Sequence, residues 1–224
     1  MSRQTIIVID GPAGAGKSTV AKGLAKKLGL AFMDTGAMYR ALTLKALRQK
    51  INLEDEAALV LLAQGAEIDL VNEPGRPLKV FLDGEDVSEA IRSLEVTNNT
   101  FYIARTPGVR HVMVDLQRRM GEKQPLVGDG RDLGTVVFPQ AAFKFYLDAD
   151  FKVRCQRRID ELKAKGEGVD EEALSKDLAE RDRKDFTRKV GPLKKADDAI
   201  VIDSTRMSID EVIETLARHI TAKK

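Results

Sequence analysis

Cysteine is almost absent from this chain. Cys155 stands alone among 224 residues, so no internal disulfide can form and a cysteine-rich metal site is ruled out. Histidine is nearly as scarce. His111 and His219 lie far apart in sequence, which argues against a histidine triad or zinc site and leaves both with surface or packing roles. An excess of one charge is missing too: 37 basic residues face 35 acidic ones. No global basic field therefore argues for nucleic acid, although arginines crowd locally between Arg154 and Arg188. Long apolar runs are also lacking. Nowhere do about 18 apolar residues stand together, and the opening MSRQTIIVIDG is too short an apolar run for a signal peptide. The expected protein is cytoplasmic, with no membrane or nucleic-acid partner.

What is present is a soluble α/β pattern, in a chain long enough for one domain with a proper core. Apolar runs ending in aspartate recur as TIIVID, LAFMD, PLVGD, FKFYLD and AIVID. Short runs of this kind suit parallel strands covered on both faces. Helical periods lie between several of them: Val20, Leu24 and Leu28 before a Gly29 cap, and a Ser208/Glu211 capping box before Ile209, Val212, Ile213, Leu216 and Ile220. This alternation predicts a doubly wound core, in which ligands sit beyond the carboxyl ends of the strands. The middle departs from that rhythm. AEIDLVNEPGRPLKVFLDG reads as an antiparallel hairpin about a Pro-Gly turn. A helix follows, with Val109, Val112, Met113, Leu116 and Met120 on one face and Gly121 as its expected stop. Residues 36 to 120 are thus expected to contain an insertion on the core. KAKGEGVD, at 163–170, is expected to be a mobile flap between two arginine-rich helices.

Gly11-Pro12-Ala13-Gly14-Ala15-Gly16-Lys17-Ser18, followed by Thr19, matches G-x-x-x-x-G-K-[ST] between a predicted strand and a predicted helix. The glycines let backbone N–H groups face phosphate oxygens, and the helix start adds its positive dipole end. Lys17 supplies a cation for the β- and γ-phosphates, and the Ser18 hydroxyl can ligate Mg²⁺. The loop identifies a donor, not an acceptor. A GTPase switch is disfavoured, because no aspartate is followed three residues later by glycine and Lys194-Lys195-Ala196-Asp197 lacks the asparagine that reads guanine. A kinase acting on a phosphorylated acceptor must gather many cations around the transferring group. Arg40, Arg110, Arg131, Arg154, Arg157, Arg158, Arg181 and Arg188 meet that demand. Arg181, Asp185 and Arg188 share one helical face, and spacing alone leaves a solvated ion-paired face equally open.

GPAGAGKST, DTGAMYR (34–40), GDGRDLGTVVFP (128–139), RDRKDFTR (181–188), PLKKADDAIVIDST and MSIDEV together resemble bacterial-type cytidylate kinases over nearly the whole chain. The resemblance implies a P-loop kinase fold: a five-stranded parallel sheet flanked by helices, with the core at about 1–35, 121–154 and 190–224. A monophosphate-binding subdomain with a small antiparallel sheet would occupy about 36–120, and a short lid about 155–189. It implies transfer from ATP, with Mg²⁺, to CMP or dCMP by a monomer serving pyrimidine metabolism. It further implies that Thr35, Arg40 and Arg131 hold the acceptor phosphate, with Tyr39 also lining that site. Arg110, Asp132 and Arg188 would face cytosine, and Arg181 and Asp185 the ribose. Lys17, Arg131, Arg154, Arg157 and Arg181 would serve catalysis. Another acceptor, UMP or AMP, and an ATPase acting on a macromolecule are the alternatives. Asp129 is left open between a strand end and a water-mediated Mg²⁺ role, and Asp203-Ser204-Thr205 between adenine packing and a structural loop. One departure stands out: Phe101 occupies a place where the family carries a small hydroxyl residue. Either Thr100 substitutes through a slight turn of the helix, or Phe101 packs on the base.

Overall fold

A computed structural model of the chain describes residues 5–73, 76–164, 166 and 168–222. Five parallel strands form the central sheet: β1 (Ile6–Asp10), β2 (Ala31–Asp34), β6 (Leu126–Gly130), β7 (Phe143–Asp148) and β8 (Ile200–Asp203), in the order β2-β6-β1-β7-β8. Alternation along β1 explains its central place. Ile7 and Ile9 enter one apolar cluster with Leu24, Phe145 and Leu216, and Val8 enters the other with Met33, Leu42 and Leu126. Both faces of the sheet are therefore covered, which is why the strands read as continuous apolar runs. Every strand points the same way, so Asp10, Asp34, Asp129, Asp148 and Asp203 gather along one edge.

Helix α1 (Lys17–Leu28) leaves the phosphate loop and ends at Gly29, whose φ of 66° supplies the left-handed cap. At the far end, α8 (Ile209–Thr221) starts with the expected capping box between Ser208 and Glu211. Between β2 and β6 the chain builds α2 (Thr35–Arg48), α3 (Glu56–Gln64), α4 (Leu94–Arg105) and α5 (Pro107–Lys123). A separate antiparallel sheet of β3 (Ile68–Val71), β4 (Lys79–Leu82) and β5 (Glu85–Asp86) lies with them. Pro74 and Gly75, on which the hairpin turn was expected, lie outside the described residues, as do Lys165 and Glu167 of the expected flap. Leu42, Leu59, Ile68, Val80 and Met113 join the sheet's own core, so the insertion is packed onto it.

One boundary differs from expectation. α5 runs past Gly121 to Lys123. A Cβ at Gly121 would lie 2.8 Å from the Phe138 ring, so this glycine serves a close approach and not a helix stop. Beyond β7, α6 (Phe151–Ala164) and α7 (Glu171–Thr187) form an arginine-rich pair. No helix among the described residues is long and apolar enough to cross a membrane.

Candidate active site

The phosphate loop sits at the carboxyl end of β1, between β6 and β7. Gly11 is required there by a neighbour: with φ of 153°, any Cβ would overlap the Leu147 carbonyl oxygen. The loop turns into α1 at Lys17, whose buried Nζ donates to the Pro12 carbonyl at 2.6 Å. Burial, and then the positive charge of Arg131, push the Lys17 ammonium well below its ordinary pKa. Arg181 is pushed down to about 10, first by restricted hydration in the cleft, then by Arg131, with Arg40 and Arg158 behind it. Among the described residues its guanidinium makes no ion pair or hydrogen bond, although much of the residue stays open to solvent. Arg131 itself is kept charged by its Asp185 partner, so two cations at an energetic disadvantage, Lys17 and Arg181, stand beside a third that is paired, a place that gains from receiving anions.

Beside them, Ser18 Oγ donates to Asp129 Oδ2 at 2.5 Å. Burial raises the Asp129 carboxyl to about 7, and Asp34 adds like-charge repulsion. Its second oxygen, Oδ1, is buried with no hydrogen-bond partner. A lone hydroxyl and an unsatisfied carboxylate oxygen make a poor all-protein metal cage. They fit a hydrated Mg²⁺ that takes most of its ligands from phosphate and water. No cluster of three or more His, Cys, Asp or Glu suited to a metal occurs among the described residues.

Opposite the loop lies a wall of alternating charge drawn from three separate segments. Arg110, from α5, donates to Asp132 in the turn after β6. Asp132 also faces Arg188 at 3.6 Å, and Arg188 faces Asp185 at 3.7 Å. Asp185 accepts from Arg131 Nε at 2.7 Å. Arg188 caps α7 and is not part of its last turn, yet it stays with Asp185 because its guanidinium folds back to the Gly191 carbonyl. Gly191 (φ 57°) lies directly over the pair: a Cβ would overlap both the Arg110 guanidinium and the Asp132 carboxylate. The Arg110 guanidinium stands 5.8 Å from the Tyr39 ring centroid. Burial pushes the Tyr39 hydroxyl up to about 12, so it stays protonated. Thr35 donates to the Asp129 carbonyl at 2.7 Å, while Arg40 lies 3.4 Å from Asp34, the cap of α2.

The geometry thus brings together Lys17, Ser18, Thr35, Tyr39, Arg40, Arg110, Arg131, Asp132, Arg181, Asp185 and Arg188. Three expected residues stand elsewhere or are already engaged. Arg157 is joined to Ser204, through its hydroxyl at 3.0 Å and its carbonyl at 2.6 Å, near the end of β8. Arg158 pairs with Glu161 one helical turn on. Arg154 is buried against Asp182 at 2.5 Å. Thr100 donates to the Val96 carbonyl at 2.7 Å, so its hydroxyl is occupied within α4. The Phe101 ring lies 4.8 Å from Lys184 Nζ and 5.4 Å from the Arg105 guanidinium, which ties α4 to α7. Asp182, Asp10 and Gly191 carry contacts that residue spacing did not flag. Asp10, which burial raises to about 6, accepts from the Leu133 and Gly134 amides and fixes the turn that presents Asp132.

A family model described as cytidylate kinase matches residues 7–222. A cytidylate kinase of Desulforamulus reducens is 52% identical over 216 residues, covering 96% of each chain. One from Caldanaerobacter subterraneus is 50% identical over 208 residues, covering 93% of this chain and 91% of that one. Among solved structures, an uncharacterised protein from Eubacterium ventriosum aligns with a TM-score of 0.53 at 14% identity. That alignment covers 97% of this chain and 99% of the other, and is a likeness of fold alone.

Proposed function

This chain belongs to the cytidylate kinase family, and from that membership we propose how its cleft carries out the reaction. It transfers a phosphoryl group from ATP to CMP, giving CDP and ADP. The observation that carries the residue assignment is the placing of two disfavoured cations, Lys17 and Arg181, around Arg131, whose Nε is held by Asp185 at 2.7 Å, between the phosphate loop and the Asp132–Arg188 wall. Two anionic substrates meeting there would relieve that disadvantage, and the relief is largest when charge spreads over the transferring group.

In this reading residues 11–19 hold the donor's phosphates, with Lys17 on the β- and γ-oxygens. Ser18, with Asp129 through water, would hold Mg²⁺, which when bound would supply counter-charge for the donor's phosphates. Thr35, Arg40 and Arg131 grip the acceptor phosphate. Asp132 accepts from the cytosine amino group, while Arg110 and Arg188 donate to its N3 and O2. Arg181 and Asp185 face the ribose, and both CMP and dCMP serve as acceptors. The acceptor phosphate is already a nucleophile, so transfer is direct and in line, without a covalent intermediate. Residues 36–120 act as the acceptor-binding arm and 155–189 as the lid. Arg154 and Arg157 support the lid's catalytic face from behind, through Ala13 and Ser204. The chain works as a cytoplasmic monomer in pyrimidine nucleotide supply.

The test is a coupled ADP-release assay with CMP, dCMP, UMP and AMP. CMP and dCMP are expected to exceed UMP and AMP in kcat/KM by at least about tenfold, a gap worth about 1.4 kcal/mol. Equal rates with UMP would defeat the base-reading assignment. Gly191 offers a narrower check. Gly191→Ala adds a methyl group where Arg110 meets Asp132, at a φ that costs a non-glycine residue about 1–2 kcal/mol. The KM for CMP is expected to rise about tenfold, with the KM for ATP within about twofold of the parent. Equal losses for both substrates would mean that the loop acts only through stability.

A further inference from the structure

Helix α7 presents two different polar faces. Asp185 pairs with Arg131, the capping Arg188 faces Asp132, and Arg181 feels the charge of Arg131. Asp182, one residue along from Arg181, turns the other way and is buried against the phosphate loop. Its Oδ1 accepts from the Ala13 backbone N–H at 3.0 Å and its Oδ2 from Arg154 Nη1 at 2.5 Å. The same Arg154 nitrogen donates to the Ala13 carbonyl at 2.8 Å, and Arg154 Nε donates to the Ala149 carbonyl at 3.1 Å. A closed ring of three partners results, which uses both the N–H and the C=O of Ala13. Lys17 holds the next carbonyl back, that of Pro12. Ala13, Cys155 and Leu178, with Phe151, close a small apolar cluster around the ring.

We propose that Asp182 is a positioning residue that couples the donor site to the acceptor site, so that a nucleotide in the phosphate loop strengthens binding of the nucleoside monophosphate. Three physical facts carry this. First, Asp182 holds a peptide group of the donor loop itself, between Gly11 and Gly14. Second, α7 spans 17 residues without a break, so a displacement at Asp182 is passed on to Arg181 and Asp185 together. Third, the connection is directional and charge-assisted. An apolar residue at 182 could join the neighbouring cluster with the loop in several orientations, whereas the carboxylate accepts only when the Ala13 amide faces it. The lid's acceptor face and the loop's donor face are therefore two ends of one rigid connection, and binding at either end biases the other. The inference rests on the two-substrate reading given above.

The experiment is calorimetric titration of CMP into the full-length protein, alone and saturated with a non-hydrolysable ATP analogue and Mg²⁺. It uses the parent, Asp182→Ala and Asp182→Asn. Asparagine keeps an oxygen for the Ala13 amide but loses the charge opposite Arg154, and serves if the alanine variant is too unstable to titrate. In the parent the analogue is expected to tighten CMP binding about tenfold. In both variants each ligand alone is expected to bind within about threefold of the parent, while the enhancement falls below about twofold. A purely structural role would weaken all binding alike and leave the enhancement unchanged. An unchanged enhancement in both variants, or no enhancement in a parent that phosphorylates CMP, overturns the coupling role. A parent that neither binds nor phosphorylates CMP overturns the two-substrate reading instead.

Discussion

Replacing Lys17 with methionine is expected to lower kcat by about a thousandfold, or about 4 kcal/mol of barrier, with no loss of thermal stability. The size follows from where the ammonium stands. It is buried at the head of α1, 2.6 Å from the Pro12 carbonyl, in the loop proposed to receive the donor's phosphates. Charge that develops there in the transition state meets a fixed cation in a poorly hydrated place, and the neighbouring Arg131 is held by Asp185 at 2.7 Å. The stability half of the expectation is the less usual one. Without an anion, the Lys17 charge is disfavoured by burial and by Arg131. Methionine has a similar length and no charge, so it removes that repulsion, and the melting temperature is expected to stay level or rise. Steady-state kinetics with thermal melting tests both halves. A kcat within tenfold of the parent would refute the role given to Lys17.

The second large effect concerns Asp132. Asp132→Asn is expected to cut kcat/KM for CMP by about a hundredfold, to cut that for UMP much less, and so to shrink the preference between them at least tenfold. A carboxylate can only accept, which suits the 4-amino group of cytosine and repels the 4-oxo group of uracil; an amide can serve either. The same substitution removes the shared counter-charge of Arg110 and Arg188, whose side chains are 3% and 8% exposed. Breaking a buried ionic pair costs about 3–5 kcal/mol, so the melting temperature is expected to fall by about 6–12 °C for a chain of this size. Rates should therefore be compared well below both melting points. An unchanged ratio of CMP to UMP would remove Asp132 from base recognition.

What the sequence disclosed, and what it withheld, divides by distance along the chain. The phosphate loop, the Gly29 cap and the Ser208–Glu211 box each depend on residues within a few positions, so their spacing could be read directly. The charged wall was visible as motifs, but its order, Arg110–Asp132–Arg188–Asp185–Arg131, depends on three segments meeting. Asp182 gave no signal because its partners lie 28 and 169 positions away. Gly191 sits three residues from Arg188, yet the reason it must lack a side chain is Arg110 and Asp132. Gly121 misled for the same cause: a glycine at the end of a helical period looks like a terminator, and only the Phe138 ring explains it. Arg157 carried the right charge for a phosphate, while its place on α6 gives it Ser204. Phe101 is the reverse case. As a sequence departure it bore on base contact, and as a ring beside Lys184 it joins α4 to α7.

The central position of β1 has a consequence for how the chain is made. Ile6 pairs with Leu126 and Ile7 with Phe143, so β1 is synthesised well before either strand that flanks it. At ordinary translation rates, about 5–20 residues per second, its apolar face waits on the order of ten seconds for β6 and β7. The phosphate loop hangs from the end of that strand, and Gly11 takes its shape against the β7 backbone. Nucleotide binding should therefore be absent from ribosome-held chains until residue 148 has emerged, then appear abruptly. A chaperone that shelters apolar segments would find a task in Ile6–Asp10.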